Sequence, residues 1–153
     1  MLSKKQARAF FLGGTLVTFL IFIRLTIYSY SVENDQTNHE NITEAVVRGK
    51  KIWESNNCMG CHTILGEGAY YAPELTKVVD RMNMKYEGQG EEVIKSILMS
   101  PVPWQPNGRK MVAYEMTEQE AVDMVEFFKW IGEIDLNGFD RIVLQLAKEE
   151  NNN

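Results

Sequence analysis

Cys58, Cys61 and His62 lie in the stretch NNCMGCHTILGEGAYYAPEL, residues 56–75, of a 153-residue chain with only two cysteines and two histidines. Four chemistries use paired cysteines at this spacing. A thioredoxin-type pair belongs in a βαβ context, and no such pattern surrounds these residues. A structural zinc site takes four ligands, whereas the other histidine, His39, sits in a polar stretch and no further cysteine exists. A disulfide is open to an exported chain, but it leaves His62 unexplained. Covalent haem attachment accounts for all three residues, because Cys-x-x-Cys-His is its signature. Two cysteines three apart on a helix face the same way and can both form thioethers with a porphyrin edge. The next residue is turned further round, so its imidazole can reach the iron. Random placement would give this arrangement on the order of once in six thousand. The expected cofactor is one haem c, anchored at Cys58 and Cys61, with His62 as proximal ligand.

A proximal histidine usually donates its second N–H to an oxygen, which fixes the ring and raises its basicity. The Pro73 carbonyl, eleven residues on in "APEL", is the expected acceptor, held rigidly by proline's fixed φ. For the distal position methionine raises the potential relative to a second histidine, and the chain has eight methionines. Met82 and Met124 fall on helix faces and read as core. Met84 and Met99 lie near helix ends, and Met116 sits where a hydrophobic staple onto Ala121 is usual. Met111, in the irregular loop after Gly108-Arg109-Lys110, is the expected distal ligand, ahead of Met116.

The elements that must position these groups are helical. A helix is predicted over about 43–55, capped by Asn41 or Thr43, with Ala45, Val46, Gly49, Ile52 and Trp53 on one face. A second covers about 74–84, with Pro73 at its first position and Leu75, Val78, Val79 and Met82 at helical spacing. A third runs over about 91–100 and is stopped by Pro101. The stretch PVPWQPNGRKM, residues 101–111, reads as an ordered loop. The last clear helix starts at the capping box Thr117-x-x-Glu120, buries Ala121, Met124, Val125, Phe128 and Ile131, and ends near Gly132. A further short helix is expected over 141–150, and disorder over 151–153. No strand stands out, so the domain is expected to be all-α. Gly49 opposite Phe127, Phe128 or Trp130 would let the first and last of these helices cross closely, as in small c-type cytochromes.

Residues 1–30 differ from the rest. Lys4, Lys5 and Arg8 precede an apolar stretch, and no acidic residue appears before Glu33. The segment 9–30 is long enough to span a bilayer, which takes about 20 residues. Arg24 interrupts it, but near the far end, beside Tyr28 and Tyr30, it can snorkel outward. A signal peptide cut at Ser29-Tyr30-Ser31 is the alternative; a retained anchor is favoured. The basic cluster places the N-terminus in the cytoplasm and the remainder on the other side of the membrane. The expected organisation is an anchor at 1–30, a polar linker at 31–42, a cytochrome c domain at 43–133 and a tail at 134–153. Beyond residue 30 the chain has 12 basic and 21 acidic residues, a formal charge of −9. That argues against nucleic acid, which needs a basic face, and favours a basic or dipolar partner.

CHTILGEGAYYAPEL, followed by NGRKM and TEQEAVDMVEFFKWI, resembles the small membrane-anchored haem c component of bacterial nitric oxide reductase, with GEGAYYAPEL its most specific part. The resemblance implies a class I-like monohaem cytochrome c domain behind a single transmembrane helix at the bacterial inner membrane, with the haem domain periplasmic. It implies electrons taken from a soluble cytochrome c or small copper protein. They pass to the b-type haem of a polytopic partner whose haem/non-haem iron site reduces two NO to N2O. It also implies a calcium ion between the two proteins, with backbone oxygens of Gly68 and Tyr70 among its ligands. Val112 stands where the family commonly has proline after the ligand methionine, and the tail from about 134 departs from the family pattern.

Two other readings stand beside this one. An anchored cytochrome could serve a haem–copper oxidase or act as an independent shuttle, and a haem sensor could bind a gas at an open sixth position. An independent catalytic site is not expected. The carboxylates Glu91, Glu92, Glu118 and Glu120 read as helix starts that complement the dipole.

Overall fold

The computed structural model describes residues 3–103 and 108–135. The helix expected over 141–150 and the disorder expected over 151–153 fall outside the described residues. The chain divides into two compact units, Met1–Thr37 and Asn38–Asn153.

The first unit is helix α1, Lys4–Gln36, long and apolar enough to cross a membrane. Ser3 starts it with a capping box: its hydroxyl accepts from the Gln6 N–H at 3.3 Å, and its own N–H donates to the Gln6 side chain at 2.9 Å. The helix does not stop at residue 30, as the polarity of SVENDQ suggests. Polarity alone ends no helix, and this stretch has neither proline nor glycine. The end comes at Asn38, which adopts the left-handed conformation, φ 47°, that asparagine tolerates better than most residues. Within α1 four hydroxyls bond back to the helix's own carbonyls: Thr18 to Gly14, Thr26 to Phe22, Ser29 to Leu25 and Ser31 to Tyr28, at 2.7–3.0 Å.

The second unit begins with a 3₁₀ turn, His39–Asn41. Asn38 donates to the Glu133 carbonyl at 2.7 Å and Asn41 to its carboxylate at 2.9 Å. Helix α2, Glu44–Ser55, is capped by Thr43, whose hydroxyl accepts from the Val46 N–H. A two-stranded antiparallel pair follows, β1 Thr63–Ile64 and β2 Glu67–Gly68. The sequence pattern shows no strand here. Leu65 at φ 52° and Gly66 at φ 81° both take positive φ, as a two-residue hairpin turn requires, and leucine gives no cue for it. Helices α3, Val78–Lys85, and α4, Gly90–Met99, pack together. Helix α5, Glu118–Glu133, starts at the Thr117–Glu120 capping box.

Helix α3 begins four residues later than predicted, and Pro73 is not its first residue. Residues 74–77 are committed elsewhere. The Leu75 N–H donates to the Thr63 carbonyl at 2.9 Å, and the Thr76 hydroxyl accepts from the Leu65 N–H at 2.7 Å. The Glu74 carboxylate meanwhile accepts from the Thr76 N–H and hydroxyl. These bonds hold the segment against β1, and helical geometry starts only after them.

The core forms where α2 crosses α5, the most extensive helix pair in the unit. A Cβ at Gly49 would lie 2.1 Å from the Asp123 carbonyl oxygen and 2.7 Å from Phe127 Cβ, so only glycine permits this approach. Trp53 packs on Phe127 and Phe128 at ring separations of 6.2 and 5.9 Å, distances typical of favourable aromatic pairs. Beside the crossing, buried Asp123 accepts both arms of the Arg48 guanidinium at 2.7 and 2.8 Å. That fork-on-fork geometry suits arginine and carboxylate.

Candidate haem centre

The site grows out of the end of α2. Asn57 takes φ 50°, which turns the chain out of the helix and into a 3₁₀ turn, Cys58–Gly60. The cysteines are therefore not on a continuing α-helix. The N–H groups of Cys61 and His62 both donate to the Cys58 carbonyl, at 3.1 and 2.9 Å, so the attachment motif closes on itself. Cys58 is partly buried and Cys61 exposed, and no disulfide joins them. Burial pushes the Cys58 thiol up to about 11.

His62 Nδ1 lies 2.8 Å from the Pro73 carbonyl oxygen. A carbonyl only accepts, so Nδ1 carries the proton and the Nε2 lone pair remains for a metal. Burial lowers the His62 pKa from its ordinary value, and the bond to Pro73 works against that shift; the ring is neutral at pH 7. The Pro73 carbonyl is itself held by its neighbours. The Ala72 N–H donates to the Cys61 carbonyl at 2.8 Å, the Leu75 bond to Thr63 lies on the other side, and Arg81 Nη2 donates to the Glu74 carbonyl at 2.6 Å. At Gly68, φ 125°, a Cβ would sit 2.2 Å from the His62 carbonyl oxygen. The hairpin can lie under the histidine only because residue 68 has no side chain.

Cys58, His62, Pro73 and Met111 line one cleft, together with Trp53, Leu75, Val78, Ile94, Leu98 and Phe128. It holds about 1070 Å³ of non-atom space when counted through its open mouth into solvent. The residues suit a haem. The walls are apolar, as a macrocycle needs, while Arg81 and Lys85, one turn apart on α3, add two cations that suit propionate carboxylates. Trp53 Nε1 is buried and has no partner among the described residues. An unpaired buried N–H costs about 1–3 kcal/mol, so an acceptor brought by a ligand would stabilise it.

Not every expected residue lines the cleft. Met116 is buried elsewhere in the core, away from the cleft lining. Met82 and Met124 are buried as expected, yet they also form part of the cleft wall. Cys61, Gly68 and Tyr70 are outside the lining, and Tyr70 is 81% exposed. Val112 is likewise exposed. Among the described residues no cluster of three or more His, Cys, Asp or Glu side chains is suited to a metal. Sequence reasoning missed Arg81, Lys85 and Arg109. The first two fall four apart on the α3 face that carries Val78 and Met82, which is the one signal that could have found them.

The family model for cytochrome c matches residues 46–132. The chain is 44% identical over 139 residues to a nitric oxide reductase subunit of Stutzerimonas stutzeri, covering 88% of this chain and 91% of that protein. It is 43% identical over 140 residues to the corresponding nitric oxide reductase protein of Halomonas halodenitrificans, with the same coverage. With that of Paracoccus denitrificans the identity is 36% over 137 residues, again covering 88% and 91%. A cytochrome c domain implies haem c, which this cleft fits. An apolar N-terminal helix, a cytochrome c domain and relatives of this kind over nearly the whole length place the chain in the family of small haem c subunits of nitric oxide reductase, with an electron-transfer role in that complex.

Proposed function

We propose that this chain takes electrons from a soluble donor outside the cytoplasmic membrane and hands them to the b-type haem of a polytopic catalytic partner, where two NO become N2O and water. The observation that carries the reading is the cleft lined in common by Cys58, His62 with its Nδ1 bonded to Pro73, and Met111. When bound, haem c supplies a one-electron couple at that place. Cys58 and Cys61 would anchor it through thioethers, and His62 Nε2 and the Met111 thioether would be its iron donors. The Pro73 carbonyl orients the imidazole, and the apolar walls would exclude water from the bound group, which would disfavour its more charged oxidised form.

Residues 1–30 act as a retained anchor with a cytoplasmic N-terminus, consistent with Lys4, Lys5 and Arg8 ahead of the apolar stretch. The formal charge of −9 beyond residue 30 suits a donor that presents a basic or dipolar face. The chain has no catalytic site of its own, and NO reduction belongs to the partner. A calcium ion shared with that partner takes main-chain oxygens of Gly68 and Tyr70. Carbonyls are suitable ligands for so hard a cation, and the exposure of Tyr70 leaves that stretch open to a neighbour.

Purification of the detergent-solubilised complex tests the reading. A haem-stained band near 17.6 kDa, beside a larger band without covalent haem and with NO consumption, is the expected result. A haem-bearing chain that purifies alone and reacts with donors but consumes no NO would favour the independent shuttle. A ferrous form that binds CO readily would favour the sensor.

A further inference from the structure

The segment that carries Met111 is anchored unlike anything else around the cleft. Among the described residues no backbone–backbone hydrogen bond involves residues 108–116. Met111 and Tyr114 pack against the core while Met116 is buried in it, so the segment is held through side chains. Its one polar tie among the described residues runs through Arg109, two positions before Met111. The guanidinium lies 4.6 Å from the centre of the Tyr71 ring, and Nη1 donates to the Tyr71 carbonyl at 2.7 Å. Tyr71 is itself two positions before Pro73, the residue whose carbonyl accepts from His62. A bridge 38 residues long in sequence thus joins the strap behind the proximal ligand to the loop bearing the distal one.

We propose that Arg109 is a positioning residue for Met111: stacked on Tyr71 and bonded to its carbonyl, it latches the distal loop to the proximal strap and keeps the thioether seated. The inference rests on Met111 being the distal ligand. A planar guanidinium can stack on a ring and donate in its own plane at once, which lysine cannot do. Tyr71 is 59% exposed, so the latch sits at the surface and its loss opens the loop without breaching the core. An open loop leaves a sixth position that an external ligand can take. The apparent affinity for that ligand rises with the population of the open state.

The test uses the full-length, haem-loaded ferric protein in detergent, with imidazole as the probe and the near-red band of His/Met haem as the readout. R109Q is expected to bind imidazole about tenfold more tightly, equivalent to about 1.4 kcal/mol, with its melting temperature unchanged. Y71L, which keeps the carbonyl but loses the ring, is expected to shift by about threefold, and R109K to fall between wild type and R109Q. Y71F keeps both contacts and should stay within about twofold of wild type. An R109Q protein that binds imidazole like the wild type overturns the latch. So does one whose gain merely follows a lowered melting temperature, because general loosening then suffices. M111L separates the two layers. If it retains the near-red band, the distal assignment fails and the latch with it. If it loses the band while R109Q behaves as wild type, only the latch fails. Should R109Q not load haem, R109K and Y71L decide by the same criteria.

Discussion

From Cys58 to Thr76 the chain bonds to itself repeatedly through its main chain: His62 to Cys58, Ala69 to Met59, Ala72 to Cys61, Leu75 to Thr63, and the β1–β2 pair between them. From Gly108 to Met116, on another part of the same cleft, no such bond exists among the described residues. Main-chain bonds do not depend on residue type, so the histidine's surroundings tolerate many side-chain changes that leave the turns intact. Side-chain anchoring depends on particular residues. The half around His62, proximal in the assignment proposed above, is thus built for constancy, and the half around Met111 is where single substitutions can tune the site.

The largest effect expected is at the crossing that supports the proximal half. Gly49→Ala places a methyl against the Asp123 carbonyl and Phe127 Cβ, with no rotamer to escape into. Overpacking costs about 1–3 kcal/mol and more where backbone must move; about 3 kcal/mol or more is expected in a thermal melt. A melt within about 0.5 kcal/mol of wild type would mean that the crossing does not support the proximal half. Next comes Asp123→Asn, which removes the charged half of the Arg48 fork. The cost at neutral pH is about 2 kcal/mol, since Asp123 is buried. The Arg48 hydrogen bond holds the Asp123 carboxyl below its usual range. A depressed carboxyl stabilises the fold above its unfolded pKa of about 3.9 and loses that contribution as pH falls through the folded value. The gap between wild type and variant should therefore be full at pH 6 and close on acidification below about pH 4, as denaturant melts at several pH values will show.

Thr117→Ala removes the hydroxyl that caps α5 and should cost about 1 kcal/mol by the same melts, with the near-red band unchanged. Met111→Leu, a swap of similar volume, should also be mild in stability, under about 1.5 kcal/mol. It should nevertheless abolish the near-red band in an absorption spectrum. A change at the distal loop that alters the spectrum but hardly the melt, beside one at the crossing that does the reverse, is the pattern the comparison demands.

What was legible in the sequence was what neighbours in sequence decide. The Thr117–Glu120 box fixes the start of α5 within four residues, and Thr43 does the same for α2. Gly49 against Phe127 was legible because a glycine on an apolar helix face opposite aromatics has few other uses. The return of the chain from His62 to Pro73 follows from the motif and the first proline carbonyl downstream of it. The start of α3 was missed because Thr63 and Leu65, more than ten residues away, capture Leu75 and Thr76, and a proline rule knows nothing of that. The hairpin at Leu65-Gly66 was missed because leucine adopts positive φ only under the pull of the strands around it. Arg109 carries no signal in its spacing; its role comes from where the fold brings the Tyr71 carbonyl.

The hydroxyls of Thr18, Thr26, Ser29 and Ser31 all fold back onto carbonyls of α1 itself. Groups engaged in this way spend their protons within the helix and do not donate to a neighbouring one. Arg24 is the one charged side chain between Arg8 and Glu33. In the anchor proposed above, a lone guanidinium is costly toward lipid, so it favours the azimuths that turn it to the interface or to a polar neighbour.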